Sequence, residues 1–212
     1  MRSAPPEDCG QCPRLAAFRR ANGISFPGWH NAPVASFGDP VARLLIVGLA
    51  PGLRGANRTG RPFTGDHAGL ILYDNLLRFG FAHGRYGADP TDGLQLVDCR
   101  ITNAVRCVPP ENRPLGAEVN HCRAFLTGEL KTPPAPLVVL PLGGIAHGSV
   151  LRALGASARR YPFAHGALYR IAAGPLLAPS YHCSRYNLNP GRLKPAMFEA
   201  VFAAVRSALD PL

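Results

Sequence analysis

Two short apolar runs constrain this chain more than anything else in it. Arg43-Leu44-Leu45-Ile46-Val47 and Leu137-Val138-Val139-Leu140 are almost unbroken in aliphatic residues, and Gly and Pro follow close behind them. A strand with one face in water alternates apolar and polar side chains, whereas an unbroken run means burial on both faces, as in a parallel sheet covered by helices above and below. Residues 94–102 and 168–173 read as further strands. Between the strands the period becomes helical. Asp66 can cap a helix with Leu70, Tyr73 and Leu77 on one face and a stop at Gly80. Residues 117–130 repeat the pattern through Val119, Cys122 and Leu126. A last helix starts after Lys194, with Pro195 in its first turn and Phe198, Phe202, Val205 and Leu209 in one stripe. Strands alternating with helices predict a three-layer α/β/α sandwich with a central, mostly parallel sheet. No internal repeat or linker interrupts the pattern, so residues 1–212 are expected to form one domain.

With 212 residues, 47% of them hydrophobic, the chain can bury a sizeable core without disulfides. No apolar run approaches the roughly 20 residues of a membrane span, and the opening MRSAPPEDCG lacks the apolar stretch of a secretory signal. A cytoplasmic location is expected. There, six cysteines point to metal or cluster ligation rather than disulfides. Lys plus Arg outnumber Asp plus Glu by 23 to 13, a formal charge of +10 that suits a polyanionic partner, nucleic acid first among them. Only Lys131 and Lys194 are lysines. Arg suits bidentate contact with phosphate, although an arginine-biased composition alone would also produce the excess.

In a parallel α/β sheet, ligands bind beyond the carboxyl ends of the strands, so the segments that follow the strands carry the chemistry. After the first comes Gly48-Leu49-Ala50-Pro51-Gly52 and then GANRTGRPFTGD at 55–66. This is no nucleotide P-loop, since it lacks the Gly-Lys-Ser/Thr ending. Its glycines let backbone N–H groups approach a ligand, and Phe63 offers a face to a planar ring; an ordinary loop with Phe63 in the core is the plainer alternative. After the second strand stands Asn103, whose amide presents a donor beside an acceptor, as reading a base edge requires. His182, in SYHCSRYNLNPGR at 180–192, is placed to donate to a developing anion.

Cys9-Gly10-Gln11-Cys12 is a C-x2-C pair, and Cys107 and Cys122 stand fifteen positions apart. Four thiolates hold either tetrahedral zinc or a [4Fe-4S] cluster. The wide second pair is unlike a zinc ribbon and tilts the reading toward the cluster. Cys99 and Cys183 remain as free thiols.

Together, these motifs resemble family 5 of the uracil-DNA glycosylase superfamily, the type b enzymes. GLAPG with GANRTGRPFTGD, the closing SYHCSRYNLNPGR, and the C-x2-C…C-x14-C arrangement carry the likeness from Cys9 to Arg192. Family 4 has Glu where this chain has Leu49, which favours family 5. The resemblance implies a monofunctional enzyme of base excision repair. It would flip uracil, and other deaminated bases such as hypoxanthine, out of DNA and hydrolyse the N-glycosidic bond. By the same resemblance Phe63 stacks on the base, Asn103 reads its edge, Gly48, Leu49 and Ala50 line the pocket, and His182 donates to a base carbonyl. With no carboxylate at Ala50, Asn57 is expected to position the water, and Asp66 less so because capping explains it. Ser184, Arg185, Tyr186, Leu188 and Arg192 are expected on DNA, with Leu188 or Tyr186 filling the gap left by the base. Cys9, Cys12, Cys107 and Cys122 would hold a structural [4Fe-4S] cluster, and the enzyme would be a monomer. Two features depart from the superfamily's pattern: Cys183 replaces the proline of its usual His-Pro-Ser, and Ala50 replaces the aspartate of its best known members. The alternative is an iron–sulfur DNA-binding or electron-transfer protein without glycosylase activity.

Overall fold

The computed structural model describes residues 4–188 and 191–210; Asn189 and Pro190 of the closing motif lie outside the described residues. In chain order the elements are α1 (Pro13–Ser25), β1 (Phe37–Gly38), β2 (Leu44–Gly48), α2 (Ala56–Thr59), α3 (His67–Arg78), β3 (Ala82–His83), β4 (Gln95–Leu96), β5 (Cys99–Asn103), α4 (Gly116–Lys131), β6 (Val138–Pro141), α5 (Gly144–Leu154), β7 (Tyr169–Arg170), β8 (Leu176–Leu177), α6 (Arg185–Leu188) and α7 (Pro195–Leu209). Six strands form the main sheet in the order β1-β5-β2-β6-β8-β7. The inner four run parallel, and the edge strands β1 and β7 are antiparallel to their neighbours. A separate ribbon pairs β3 with β4.

The unbroken apolar runs behave as their composition dictates. Leu44 and Ile46 of β2 turn to one face, where they join Ile101 and Leu140 under Leu72 and Leu76 of α3 and Phe198 and Phe202 of α7. Leu45 and Val47 turn to the other, against Leu126 of α4 and Val150 and Leu151 of α5. Both faces are therefore dry, and the domain is a three-layer α/β/α sandwich. A third, smaller cluster joins α1 to α4 through Leu15, Val119 and Phe125, with Cys107 and Cys122 inside it.

The structure departs from the sequence expectations in several places. Residues 94–102 are two strands, not one: Asp98 sits between them in a left-handed conformation (φ 50°), its carboxylate accepting from the Arg43 N–H at 2.7 Å and pairing with the Arg43 guanidinium. In 168–173 only Tyr169–Arg170 is extended, at the antiparallel edge, and the parallel neighbour of β6 is Leu176–Leu177. Asp66 does cap α3, accepting from Gly69 N at 3.0 Å, but the buried face of that helix carries Ala68, Leu72, Tyr73 and Leu76, while Leu70 is 51% exposed. Helices α1 and α5 were not anticipated. The inner face of α1 includes Arg19 and Asn22, and Arg19 is buried because its guanidinium binds the carbonyls of Glu7 and Cys9.

Phe202 is fully buried and meets Phe79, Phe81 and Phe198. Phe202→Ala is expected to cost about 3–5 kcal/mol of stability in urea denaturation; a loss below about 1 kcal/mol would contradict the packing described.

Candidate functional site

The parallel register brings the ends of three strands level. Gly48 of β2 stands opposite Asn103 of β5, and Val47 opposite Pro141 of β6. Beyond these ends the chain leaves the sheet in loops that two further bonds tie together, Ala104 N–H to Gly48 O and Val105 N–H to Leu49 O, both 2.9 Å. The loops and the segment after Ser180 enclose one cleft of about 940 Å³. This is where a doubly wound sheet offers a ligand its place.

Phe63 and His182, far apart in sequence, face each other in this cleft with ring centroids 5.7 Å apart and planes 25° from parallel. Asn103 lines the same cleft and is almost fully buried. Gly48 lies behind them. A Cβ there would overlap the Asn103 amide oxygen and stand 2.7 Å from the Phe63 ring, so the missing side chain is what lets amide and ring close together. Leu49 and Ala50 line the neighbouring wall. Asn187 Nδ2 donates to the His182 carbonyl at 2.8 Å and fixes the turn that carries the imidazole. Burial pushes the His182 pKa below its ordinary value, against a smaller upward pull from the Asp66 charge, so the ring is neutral at pH 7.

Ser184, Arg185 and Tyr186 also line the cleft, and Tyr186 is 79% exposed. Leu188 instead packs on the core below α3 and α7, and Arg192 lies exposed, away from the cleft lining. Asn57 is not brought to the cleft surface. It is fully buried, its Nδ2 donating to Asn31 Oδ1 at 2.9 Å, while its own amide oxygen has no partner. Asp66 does line the cleft, one carboxylate oxygen spent on the α3 cap and the other turned toward Gly55.

The sequence reasoning missed one entire wall. Leu142, Gly143, Gly144 and Ile145 face His182 from the start of α5. Their signal was present, since Gly143-Gly144 follow the apolar run of β6 as Gly48 ends that of β2. Arg54 and the 111–113 turn were missed too, and Glu111 and Asn112 both take left-handed conformations there.

On the α1–α4 side, Cys9, Cys12, Cys107 and Cys122 share a neighbourhood. Cys107 and Cys122 are buried, and Cys9 and Cys12 half-buried. Burial, and then the proximity of the other thiols, pushes Cys12 up to about 11 and Cys107 up to about 12. Burial raises Cys122 as well, and the Arg106 N–H donates to its sulfur at 3.3 Å. Among the described residues, no group of three or more His, Cys, Asp or Glu is arranged to hold a metal ion. Cys99 and Cys183 are buried apart from this group, in the core under α3 and α7.

The cleft thus brings together an aromatic ring, an amide and a neutral imidazole at the carboxyl ends of a parallel α/β sheet, in a chain of formal net charge +10. Residues 35–206 match the Uracil DNA glycosylase superfamily model. The chain is 42% identical over 206 residues to a type-5 uracil-DNA glycosylase of Thermus thermophilus, covering 94% of each. It is 42% identical to one of Mycobacterium leprae, covering 92% of this chain and 88% of that one. A type-4 uracil-DNA glycosylase of Pyrobaculum aerophilum is 32% identical over 83% of this chain. The chain belongs to the uracil-DNA glycosylase superfamily, on its type-5 branch.

The His182 ring should titrate below 6.5 in an NMR pH series. The sign follows: the unfolded state takes up a proton near 6.5 that the folded ring refuses, so this residue lowers stability as pH falls through that value. A midpoint above 6.5 would contradict the buried, neutral ring.

Proposed function

We propose that this chain is a monofunctional glycosylase that hydrolyses the N-glycosidic bond of uracil in DNA and leaves an abasic site, the opening step of base excision repair. The observation that carries the reading is the Phe63–His182 pair across one cleft, with Asn103 beside it. A base inside a duplex is out of reach. It must be flipped out, at a cost of a few kcal/mol that is smallest for a mismatched pair. In the cleft Phe63 stacks on the extruded ring, Asn103 reads its polar edge, and the walls at Leu49 and Ala50 exclude water.

As the bond to C1′ lengthens, the sugar gains positive character and the base negative. The neutral His182 ring donates its N–H to the base carbonyl oxygen that takes up this charge. Such a donor typically supplies about 3–4 kcal/mol, or 10² to 10³ in rate. Water then adds hydroxide to C1′, and its proton balances the departing base. Asp66 is the group placed to orient that water: it lines the cleft with one carboxylate oxygen still available, whereas Asn57 is held behind the cleft by Asn31. Ala50 presents only a methyl group, and the cleft volume of about 940 Å³ leaves room for hypoxanthine and other deaminated bases as well as uracil.

Arg54, Arg113 and Arg185 at the rim meet phosphates. The exposed Tyr186, rather than the packed Leu188, fills the gap in the stack. One chain supplies every group, so a monomer suffices, and residues 1–212 act as a single domain. No helix among the described residues is long and apolar enough to cross a membrane.

Cys9, Cys12, Cys107 and Cys122 are the ligands of a [4Fe-4S] cluster. Four soft thiol donors, with Cys107 and Cys122 buried in the cluster that joins α1 to α4 and Cys12 packed against it, are the donor set such a core takes. When bound, the cluster supplies a cross-link and no electron chemistry: it joins the segment before α1 to the loop after Asn103 and to α4. Purified anaerobically, the protein should be brown and carry about four irons per chain with acid-labile sulfide. A colourless protein with one zinc would contradict this.

A labelled duplex bearing one uracil, incubated with the protein and then treated with alkali, tests the function. Wild type should yield the cleaved strand, and His182→Ala should do so at least tenfold more slowly while keeping its thermal midpoint. An intact duplex with wild type, or equal rates for the two proteins, would overturn the reading.

A further inference from the structure

Phe63 is only 6% exposed, yet its backbone is left-handed at φ 53°. A non-glycine residue there costs on the order of 1–3 kcal/mol and persists only where its surroundings over-determine it. The surroundings are unusually complete. The hydroxyl of Tyr73 donates to the carbonyl of Pro62 at 2.7 Å, and that of Tyr86 to the carbonyl of Phe63 itself at 3.1 Å. Gly69 lies so close to that carbonyl that any Cβ would overlap it. Two residues before Phe63, Arg61 is buried, its Nε donating to Thr64 Oγ1 at 2.8 Å. Its two Nη groups meet both oxygens of Asp92 at 2.8 and 2.7 Å. The guanidinium lies 5.2, 5.4 and 5.8 Å from the ring centroids of Phe37, Tyr73 and Tyr86. Asp92 is bound further by the N–H groups of Gly87 and Leu94, and the Arg61 guanidinium holds its carboxyl far below the usual carboxylate range.

Tyr86 and Asp92 belong to the excursion between β3 and β4, outside the main sheet and away from the cleft lining. Their partners, Phe63 and Arg61, belong to the loop that forms the cleft floor.

We propose that the β3–β4 excursion is a clamp: Tyr86 and Asp92, acting through the Phe63 carbonyl and Arg61, are positioning residues that hold the Phe63 ring at stacking distance from an extruded base. The inference rests on the reading that Phe63 stacks on that base. It assigns a positioning role to a segment that does not line the cleft. The buried Arg61–Asp92 pair serves geometry here more than stability, since such pairs pay heavily in desolvation and return little net energy.

The test uses Tyr86→Phe, which removes one hydroxyl and keeps the ring over Arg61, and Asp92→Asn, which keeps the shape and removes the charge. Four quantities are measured for each: excision kcat and KM, inhibition by free uracil, affinity for a duplex carrying a tetrahydrofuran abasic analogue, and thermal midpoint. The clamp predicts that Tyr86→Phe weakens uracil inhibition and lowers kcat by about threefold to tenfold, while affinity for the abasic analogue, which offers no base to stack, stays at the wild-type level. In a Phe63→Ala background the same substitution should do nothing more, because the two act as one unit. Unchanged uracil inhibition in an active Tyr86→Phe enzyme would refute the clamp alone, as would an equal loss for the abasic analogue or full additivity with Phe63→Ala. Absence of excision by wild type would refute the functional reading and the clamp with it.

Discussion

The site depends on an absent side chain. At Gly48 the central strand ends level with Asn103, and the space a Cβ would take is filled by the Asn103 amide and the Phe63 ring. The parallel sheet supplies the alignment. Its inner strands are buried on both faces, so the register that puts Gly48 opposite Asn103 is fixed by two packed helical layers rather than by local turn chemistry. The cleft lining is then carried at strand ends and on loops whose bases are held by that packing.

Around that point the molecule uses charge to hold loops rather than to gain stability. Arg61 and Asp92 secure the floor. Glu129, its side chain buried, pairs with Arg100 of β5 and with Arg106 just beyond Asn103, bracing that strand end. Arg14 pairs with Glu118 and joins α1 to α4 beside the four thiols. These pairs absorb part of the basic excess internally. Arg54 and Arg185, by contrast, line the cleft and are exposed.

The two central strands and the last helix were legible because each depends on composition over a short window, while Phe63, Asn103 and His182 were singled out by their places after the strands and by the family resemblance. Unbroken aliphatic runs identified β2 and β6, and the stripe of Phe198, Phe202, Val205 and Leu209 identified α7, whose apolar face is fully committed to the core. The elements that escaped are those in which tertiary contacts override the pattern. Helix α1 buries Arg19 because two loop carbonyls accept from it. The break at Asp98 exists for a carboxylate that binds Arg43, a partner more than fifty residues away. The place of Asn57 shows the same limit: its residue type suits a water-positioning role, but it is buried outside the cleft lining with its Nδ2 donating to Asn31, and no local pattern announces that partner. In the same loop, Asp66 was discounted as a cap, yet capping occupies only one of its two oxygens.

A structure of the protein with free uracil in the cleft tests the central claim most directly. The account predicts the pyrimidine lying flat on the Phe63 ring, its edge bonded to the Asn103 amide and a carbonyl oxygen within hydrogen-bond distance of the His182 imidazole. Uracil bound elsewhere, or bound here with its plane away from Phe63 and no bond to either side chain, would contradict it.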